Sequence, residues 1–213
     1  MTTNLWSDKD HALAYLRNRA SIPHRVDALE VLCELLPTRV DRVLDLGTGD
    51  GDTLALVRAG HPDAYGVGLD FGDEMLRRAT ERFAGDDRVV IDRHDLDRPL
   101  PSGLGSFDAV VSSFAIHHCA RERQRALYGE IFGVLRPAGV FVNAEHVASP
   151  TESLHHEFLA ALGIRPDEDD PSNQLVAVDH HLAWLDDLGF QDVDCYWKWR
   201  ELAVLAGRKP AAA

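Results

Sequence analysis

Cysteine is scarce: Cys33, Cys119 and Cys195 stand far apart among 213 residues and form no CxxC pair. This excludes a disulfide framework and a clustered zinc module, and it leads us to expect a reduced, cytoplasmic protein. No run of about 18 apolar residues occurs, and Met1 to Asp10 lacks the basic and apolar regions of a secretory signal, so no membrane partner is expected. Positive charge is also short. Lys and Arg total 22 against 35 Asp and Glu, for a net charge of -13, so there is no broad basic surface to neutralise a nucleic-acid backbone. A local patch of Arg17, Arg19, Arg25, Arg121, Arg123 and Arg125 is the one route left open to such a partner. Internal repeats, low-complexity tracts and linkers are missing too. Residues 1–213 are therefore expected to form one domain, as a monomer or a homodimer.

What is present is concentrated in Val43-Leu44-Asp45-Leu46-Gly47-Thr48-Gly49-Asp50-Gly51. The apolar start reads as a strand covered on both faces, and the glycines read as a loop that a small ligand approaches closely. A phosphate loop would carry GxGxxG or GxxxxGK[ST]. Here Asp52 takes the last glycine's place, no Lys follows, and Asp45, Asp50 and Asp52 surround the turn. Such a charge set repels a pyrophosphate and attracts an ammonium or sulfonium group. Helix capping is an equally open reading for Asp50 and Asp52, though not for Asp45, which ends a strand.

VLDLGTGDG resembles the first motif of class I S-adenosylmethionine-dependent methyltransferases, an acid followed by GxGxG. Four later segments agree in order: Gly66 to Asp70 as a second strand ending in an acid, Asp92 to Leu96 after a third strand, Phe107 to His118 as a fourth strand and its exit loop, and Leu135 to Val142 as the turn into a fifth, with Ala138 where Gly is commoner. The resemblance implies a cofactor site of Asp45, Gly47, Thr48, Gly49, Gly51, Asp70, Phe71, Asp95, Leu96 and Ser113. Asp70 would take the ribose hydroxyls and Asp95 the adenine amino group. S-adenosyl-L-methionine would be the methyl donor and S-adenosyl-L-homocysteine the product.

Periodicity places helices at Asp8 to Leu16, Pro23 to Leu36, Thr53 to Ala59, Asp73 to Phe83, Arg121 to Val134, Thr151 to Leu162 and Val178 to Leu188, alternating with strands in the middle of the chain. This predicts an α/β fold, a mostly parallel sheet with helices on both faces. Gln191 to Trp199 and Glu201 to Gly207 follow so closely that they must pair as an antiparallel hairpin. A Rossmann-like seven-stranded sheet of order 3-2-1-4-5-7-6, its last strand antiparallel, is what the resemblance implies. Cys195, Trp197 and Trp199 are expected on one strand face, far from the site, and Asp167 to Asp170 in an exposed loop.

In an open sheet of this type the ligand lies beyond the strand ends, where the strand order reverses. The N-terminal helices, residues 1–36 with Tyr15, Arg17 and Arg19, and a variable segment, residues 149–177, are expected to cap the site and carry substrate specificity. Seven of the eleven histidines fall between His117 and His181. They admit three readings: structural imidazoles, a general base at His118 or His146 beside Glu145, or a metal site built from Glu145, His146 and His155 or His156. The catalytic candidates are His118, His146 and Glu145, with no metal assigned. A small-molecule acceptor with an N, O or C nucleophile is expected. An RNA-modifying enzyme of the same fold, suggested by a loose similarity of the Ile22-Pro23 segment and N-terminal helix to wobble-uridine modifying enzymes, and a non-catalytic S-adenosylmethionine-binding module are the alternatives.

Overall fold

A computed structural model describes residues 9–212 of the chain. In order it contains α1 (Lys9–Asn18), α2 (Arg25–Glu34), β1 (Arg42–Leu46), α3 (Asp52–Gly60), β2 (Tyr65–Asp70), α4 (Asp73–Arg82), β3 (Val89–Arg93), β4 (Phe107–Ser113), α5 (Arg121–Val134), β5 (Leu135–His146), α6 (Glu152–Leu162), α7 (Val178–Leu188), β6 (Gln191–Trp199) and β7 (Leu202–Arg208). The strands form a single sheet of order β3-β2-β1-β4-β5-β7-β6. Pairing is parallel from β3 to β5, and β7 runs antiparallel to both of its neighbours.

The unbroken apolar runs of β1 and β4 follow from burial on two faces. Leu44, Leu46 and Val110 join Phe141 under Leu127, Tyr128 and Ile131 of α5 and Trp184 and Leu185 of α7. Val43, Ala109 and Val111 face the other way, against Leu29 and Leu32 of α2 and Leu54 and Val57 of α3. Each such side chain contributes roughly 1.5–3 kcal/mol on burial, so the central strands hold rigid the loops that leave their ends.

Several boundaries differ from expectation for local reasons. Helix α2 begins at Arg25, because His24 adopts a left-handed conformation (φ 61°) that leaves Pro23 in the preceding turn. Asp8, the expected start of the first helix, lies outside the described residues. At the head of β5, Ala138 has φ 63°, which accounts for the commonness of glycine at this position. In β6 the register shifts between Cys195 and Trp197, which pair with the adjacent residues Leu205 and Val204. The bulge puts Cys195 with Val147, Ala203 and Leu205 on one face and Trp197 with Val204 on the other, so the expected common face does not exist. Nor is the hairpin remote. Its turn carries Arg200 at φ 51° and brings Glu201 and Leu202 beside His146 and Phe158.

Candidate active site

Beyond the ends of β1 and β4 lies a cleft that is partly open to solvent. Its floor is the glycine loop. The amides of Gly47 and Thr48 donate to the carbonyl of Leu69 at 2.9 Å each, and the amide of Gly49 donates to the Asp70 carboxylate at 2.8 Å. The three glycines have different reasons. A Cβ on Gly47 would lie 2.2 Å from that of Ala115, and one on Gly51 would lie 2.6 Å from the Phe83 ring, so both serve packing within the protein. At Gly49, with φ 56°, a Cβ would find only Met75 Sδ, at 4.0 Å; this is the position that keeps ligand space open.

The structure places Gly47, Thr48, Gly49, Asp70, Phe71, Asp95, Leu96 and Ser113 around this cavity, together with Met75 and His94. Asp70 also accepts the amide of Gly72 at 2.9 Å, and burial raises its pKa. Asp45 and Gly51 are not on the wall. Asp45 is fully buried behind the loop and accepts the Thr48 hydroxyl at 2.7 Å, and burial pushes it up to about 7. The cavity suits a polar, partly apolar ligand such as an adenosyl group. Buried polar atoms of its wall, Arg25 Nε, His94 Nε2 and Ser113 Oγ, have no hydrogen-bond partner among the described residues.

The expected field of bare carboxylates is corrected by the N-terminal segment. Asp50 is held by Arg19 at 2.5 and 2.9 Å and by Arg82 at 2.9 Å. Burial raises the Asp50 pKa, but these two guanidinium groups outweigh it and hold the carboxyl below its ordinary range. Asp52 has Arg25 at 3.7 Å and both Arg19 and Arg82 at 3.9 Å. Neither acid caps α3: the N-cap is Gly51, and Asp52 is the first helical residue. Leu16, Arg19 and Arg25 thereby reach the cavity wall, while the side chain of Tyr15 lies outside the described residues. The other arginines of the suspected patch are also dispersed. Arg123 pairs with Glu130, Arg125 with Asp187, and Arg121 lies over Trp184.

A second cavity, about half open to solvent, adjoins the first; Phe114 and His118 line both. Its apolar walls are Ile22, Phe158, Leu159, Leu162, Ile164 and Leu202, and its polar side is His117, His118, His146 and the acidic segment Glu168 to Asp170. Asp169 and Asp170 are half-buried, so the expectation of an exposed acidic loop fails for these two. Phe114 adopts φ 53°, a costly conformation for a bulky residue, as its backbone turns between the cavities.

Behind this wall the histidines are fixed by buried acids. His117 Nδ1 lies 2.5 Å from Glu145 Oε1, and Glu145 also accepts from Asn143 Nδ2 at 3.0 Å and from the His146 amide at 2.9 Å. Burial, with His146 nearby, drives the His117 pKa well down, and burial raises that of Glu145. Glu145 therefore stands behind His117 and lines neither cavity. His146 Nε2 meets Glu201 at 2.9 Å, and His155 Nδ1 meets the same carboxylate at 3.0 Å. Burial raises the Glu201 pKa, but bonds from His146, Ser149 and His155 outweigh it and lower it overall. The suggested metal set is thus not assembled: Glu145 faces His117, while His146 and His155 converge on Glu201. Among the described residues no group of three His, Cys, Asp or Glu side chains is arranged to hold a metal ion.

Sequence reading missed Arg19 and Arg82 as partners of Asp50, Glu201 as the anchor of His146, and Ser172, whose hydroxyl lies 3.0 Å from His118 Nδ1. None carries a local motif; each is brought in by tertiary folding.

Residues 43–139 match the model of a methyltransferase domain. The chain is 35% identical over 120 residues to the ubiquinone/menaquinone biosynthesis C-methyltransferase UbiE of Desulfotalea psychrophila, covering 55% of this chain and 46% of that protein. It is 36% identical over 115 residues to a malonyl-[acyl-carrier protein] O-methyltransferase of Marinomonas sp., covering 54% and 42%. The chain thus spans about half the length of these curated relatives. An O-methyltransferase family protein from Burkholderia thailandensis shares the fold with a TM-score of 0.74 at 18% identity, over 98% of this chain and 62% of that one. No helix among the described residues is long and apolar enough to cross a membrane. With its motif order, sheet topology and these matches, the chain carries a methyltransferase domain over residues 43–139 and has the Rossmann-like fold of class I methyltransferases.

Proposed function

We propose that this protein transfers a methyl group from S-adenosyl-L-methionine to a small molecule held in the second cavity. One observation carries the reading: His118 and Phe114 are walls of both cavities, so donor and acceptor compartments meet at a titratable side chain. When bound, S-adenosyl-L-methionine supplies a methyl group on a positively charged sulfur that leaves as a neutral thioether.

The chain's own residues do the rest. Gly49 leaves room for the ligand, Asp70 offers carboxylate oxygens for hydroxyl groups, and Asp95 stands further along the wall for the adenine end. Residues of the N-terminal segment line both cavities, and residues of 149–177 line the second. Holding acceptor and donor in line is worth roughly 7–11 kcal/mol in favourable cases. An acceptor that arrives protonated on O or N gives up that proton to the histidine wall, and His118 is the member placed at the junction. His117 and His146 line the acceptor side, the former braced by Glu145 and the latter by Glu201.

The test is a screen of metabolite fractions with methyl-labelled S-adenosyl-L-methionine, with and without a chelator. Labelled small-molecule product is expected in both arms. Product only without chelator would assign the chemistry to a metal, label in RNA would favour the RNA-modifying alternative, and no labelled product from any fraction would contradict transfer.

A further inference from the structure

Between β3 and β4 the chain runs from His94 to Ser106 without helix or strand. A loop of that length keeps one shape only when groups outside it take up its main-chain bonds. Its first half forms part of the cofactor cleft, through His94, Asp95, Leu96 and Asp97. Here Asp95 accepts the Asp97 amide on Oδ1 at 3.0 Å and the Arg98 amide on its carbonyl at 2.9 Å, so Asp95 opens a tight turn.

The turn is held from behind by α5. Arg123 and Glu130 stand about two helical turns apart and pair fork to fork, Nη1 to Oε1 at 2.5 Å and Nη2 to Oε2 at 2.9 Å. The same two side chains grip alternate residues of the loop through main-chain atoms. Arg123 Nε donates to the Leu96 carbonyl at 2.6 Å, Arg123 Nη2 donates to the Arg98 carbonyl at 2.8 Å, and Glu130 Oε2 accepts the Leu100 amide at 2.9 Å. Pro99 and Pro101 have no amide hydrogen, so Leu100 supplies the donor between them. A planar guanidinium can serve a carboxylate and two carbonyls at once; an ammonium group cannot reproduce that fork.

We propose that Arg123 and Glu130 are positioning residues for base recognition, fixing the Asp95–Leu100 backbone in the shape that presents the Asp95 carboxylate to the 6-amino group of the cofactor's adenine. The proposal rests on the S-adenosyl-L-methionine reading of this cleft. A carboxylate accepts from an amino group and opposes a carbonyl oxygen, so a firmly placed Asp95 selects adenine over hypoxanthine, which carries oxygen at position 6. Loosening the loop would cost adenine its bond and relieve hypoxanthine of the opposed oxygens. Base selectivity therefore separates positioning from a general part in stability.

Calorimetry with S-adenosyl-L-homocysteine and S-inosyl-L-homocysteine tests this, with denaturant unfolding to confirm the fold of each variant. The wild type should prefer the adenosyl form at least about tenfold. Arg123→Met should weaken the adenosyl form about thirtyfold and the inosyl form less than about threefold, so that the preference is lost. Arg123→Lys, which keeps the charge without the fork, should lower the preference about fivefold, and Glu130→Gln, which keeps an acceptor for the Leu100 amide, about threefold. A wild type that binds both forms equally, or equal losses for the two ligands in Arg123→Met, would overturn the proposal and leave the pair as an ordinary loop anchor. If Arg123→Met does not fold, the two conservative variants decide, and an unaltered preference in both would overturn it. A wild type that binds neither ligand would contradict the cofactor reading, and the proposal with it.

Discussion

The two halves of the site are built by different means. On the β1–β3 side, contiguous residues at strand ends do the work, and main-chain amides of the glycine loop lock onto Leu69 and Asp70. On the β4–β5 side, the polar wall is assembled from distant pieces: His117 on Glu145, His146 on Glu201, and His118 on Ser172 and Asp170. The first arrangement is a fixed cradle that suits one ligand. In the second, His118 takes its partners from the segment 149–177, which can change while the sheet stays the same, whereas Glu145 and Glu201 brace His117 and His146 from the sheet and its hairpin turn.

Substitutions on either side should separate the two halves. Gly49→Val is expected to have the largest effect, because a branched side chain would both occupy the cavity and oppose φ 56°. Calorimetric affinity for S-adenosyl-L-homocysteine should fall more than about a thousandfold, or about 4 kcal/mol, with the histidine wall unaltered. Near-normal binding would remove the loop's assigned role.

Asp45 tests whether its charge serves the ligand or the fold. Burial places its pKa at about 7, above the ordinary value of 3.8. A carboxyl whose folded pKa is raised contributes stability fully below about pH 4 and loses that contribution as pH rises through 7. Asp45→Asn should therefore gain on the wild type by about 4 kcal/mol between pH 4 and pH 8, measured by denaturant unfolding. Parallel pH curves for the two proteins would show that Asp45 is an ordinary, ionised acid.

On the acceptor side, Leu162→Trp should fill part of the second cavity. Methyl transfer is expected to fall about thirtyfold, roughly 2 kcal/mol, with cofactor affinity changed by less than about twofold. Equal losses in transfer and cofactor affinity would mean that the cavities are not separable. Smallest is Asp70→Ala. It removes an acceptor for the Gly49 and Gly72 amides as well as one for the ligand, and should weaken S-adenosyl-L-homocysteine binding about tenfold, or about 1.4 kcal/mol.

The same contrast explains what was legible beforehand. Gly47 to Gly51, Asp70 and Asp95 are readable as strand-end and loop positions because these are local in sequence and each motif needs only its neighbours, whereas the sheet order followed only from the resemblance that the series of motifs carries. Even there, the purpose of Gly47 and Gly51 was hidden, since Ala115 and Phe83 arrive from elsewhere. The charge on the loop was misjudged for a related reason: Arg19 and Arg82 neutralise Asp50 from 31 and 32 residues away. His118 could be suspected from its place after β4, but Ser172 lies 54 residues on, in a loop whose spacing follows no period. The β6 bulge was invisible because alternation was assumed to run unbroken past Cys195.

The central claim is that His118 stands where the cofactor cavity opens into the acceptor cavity. Titrating nitrogen-15-labelled protein with S-adenosyl-L-methionine, while following the Gly49 amide and the His118 ring, tests it most directly. Both signals should shift together and saturate at one equivalent, with the His155 ring unmoved. Saturable binding that shifts Gly49 and leaves His118 untouched would contradict the shared wall and the transfer chemistry built on it.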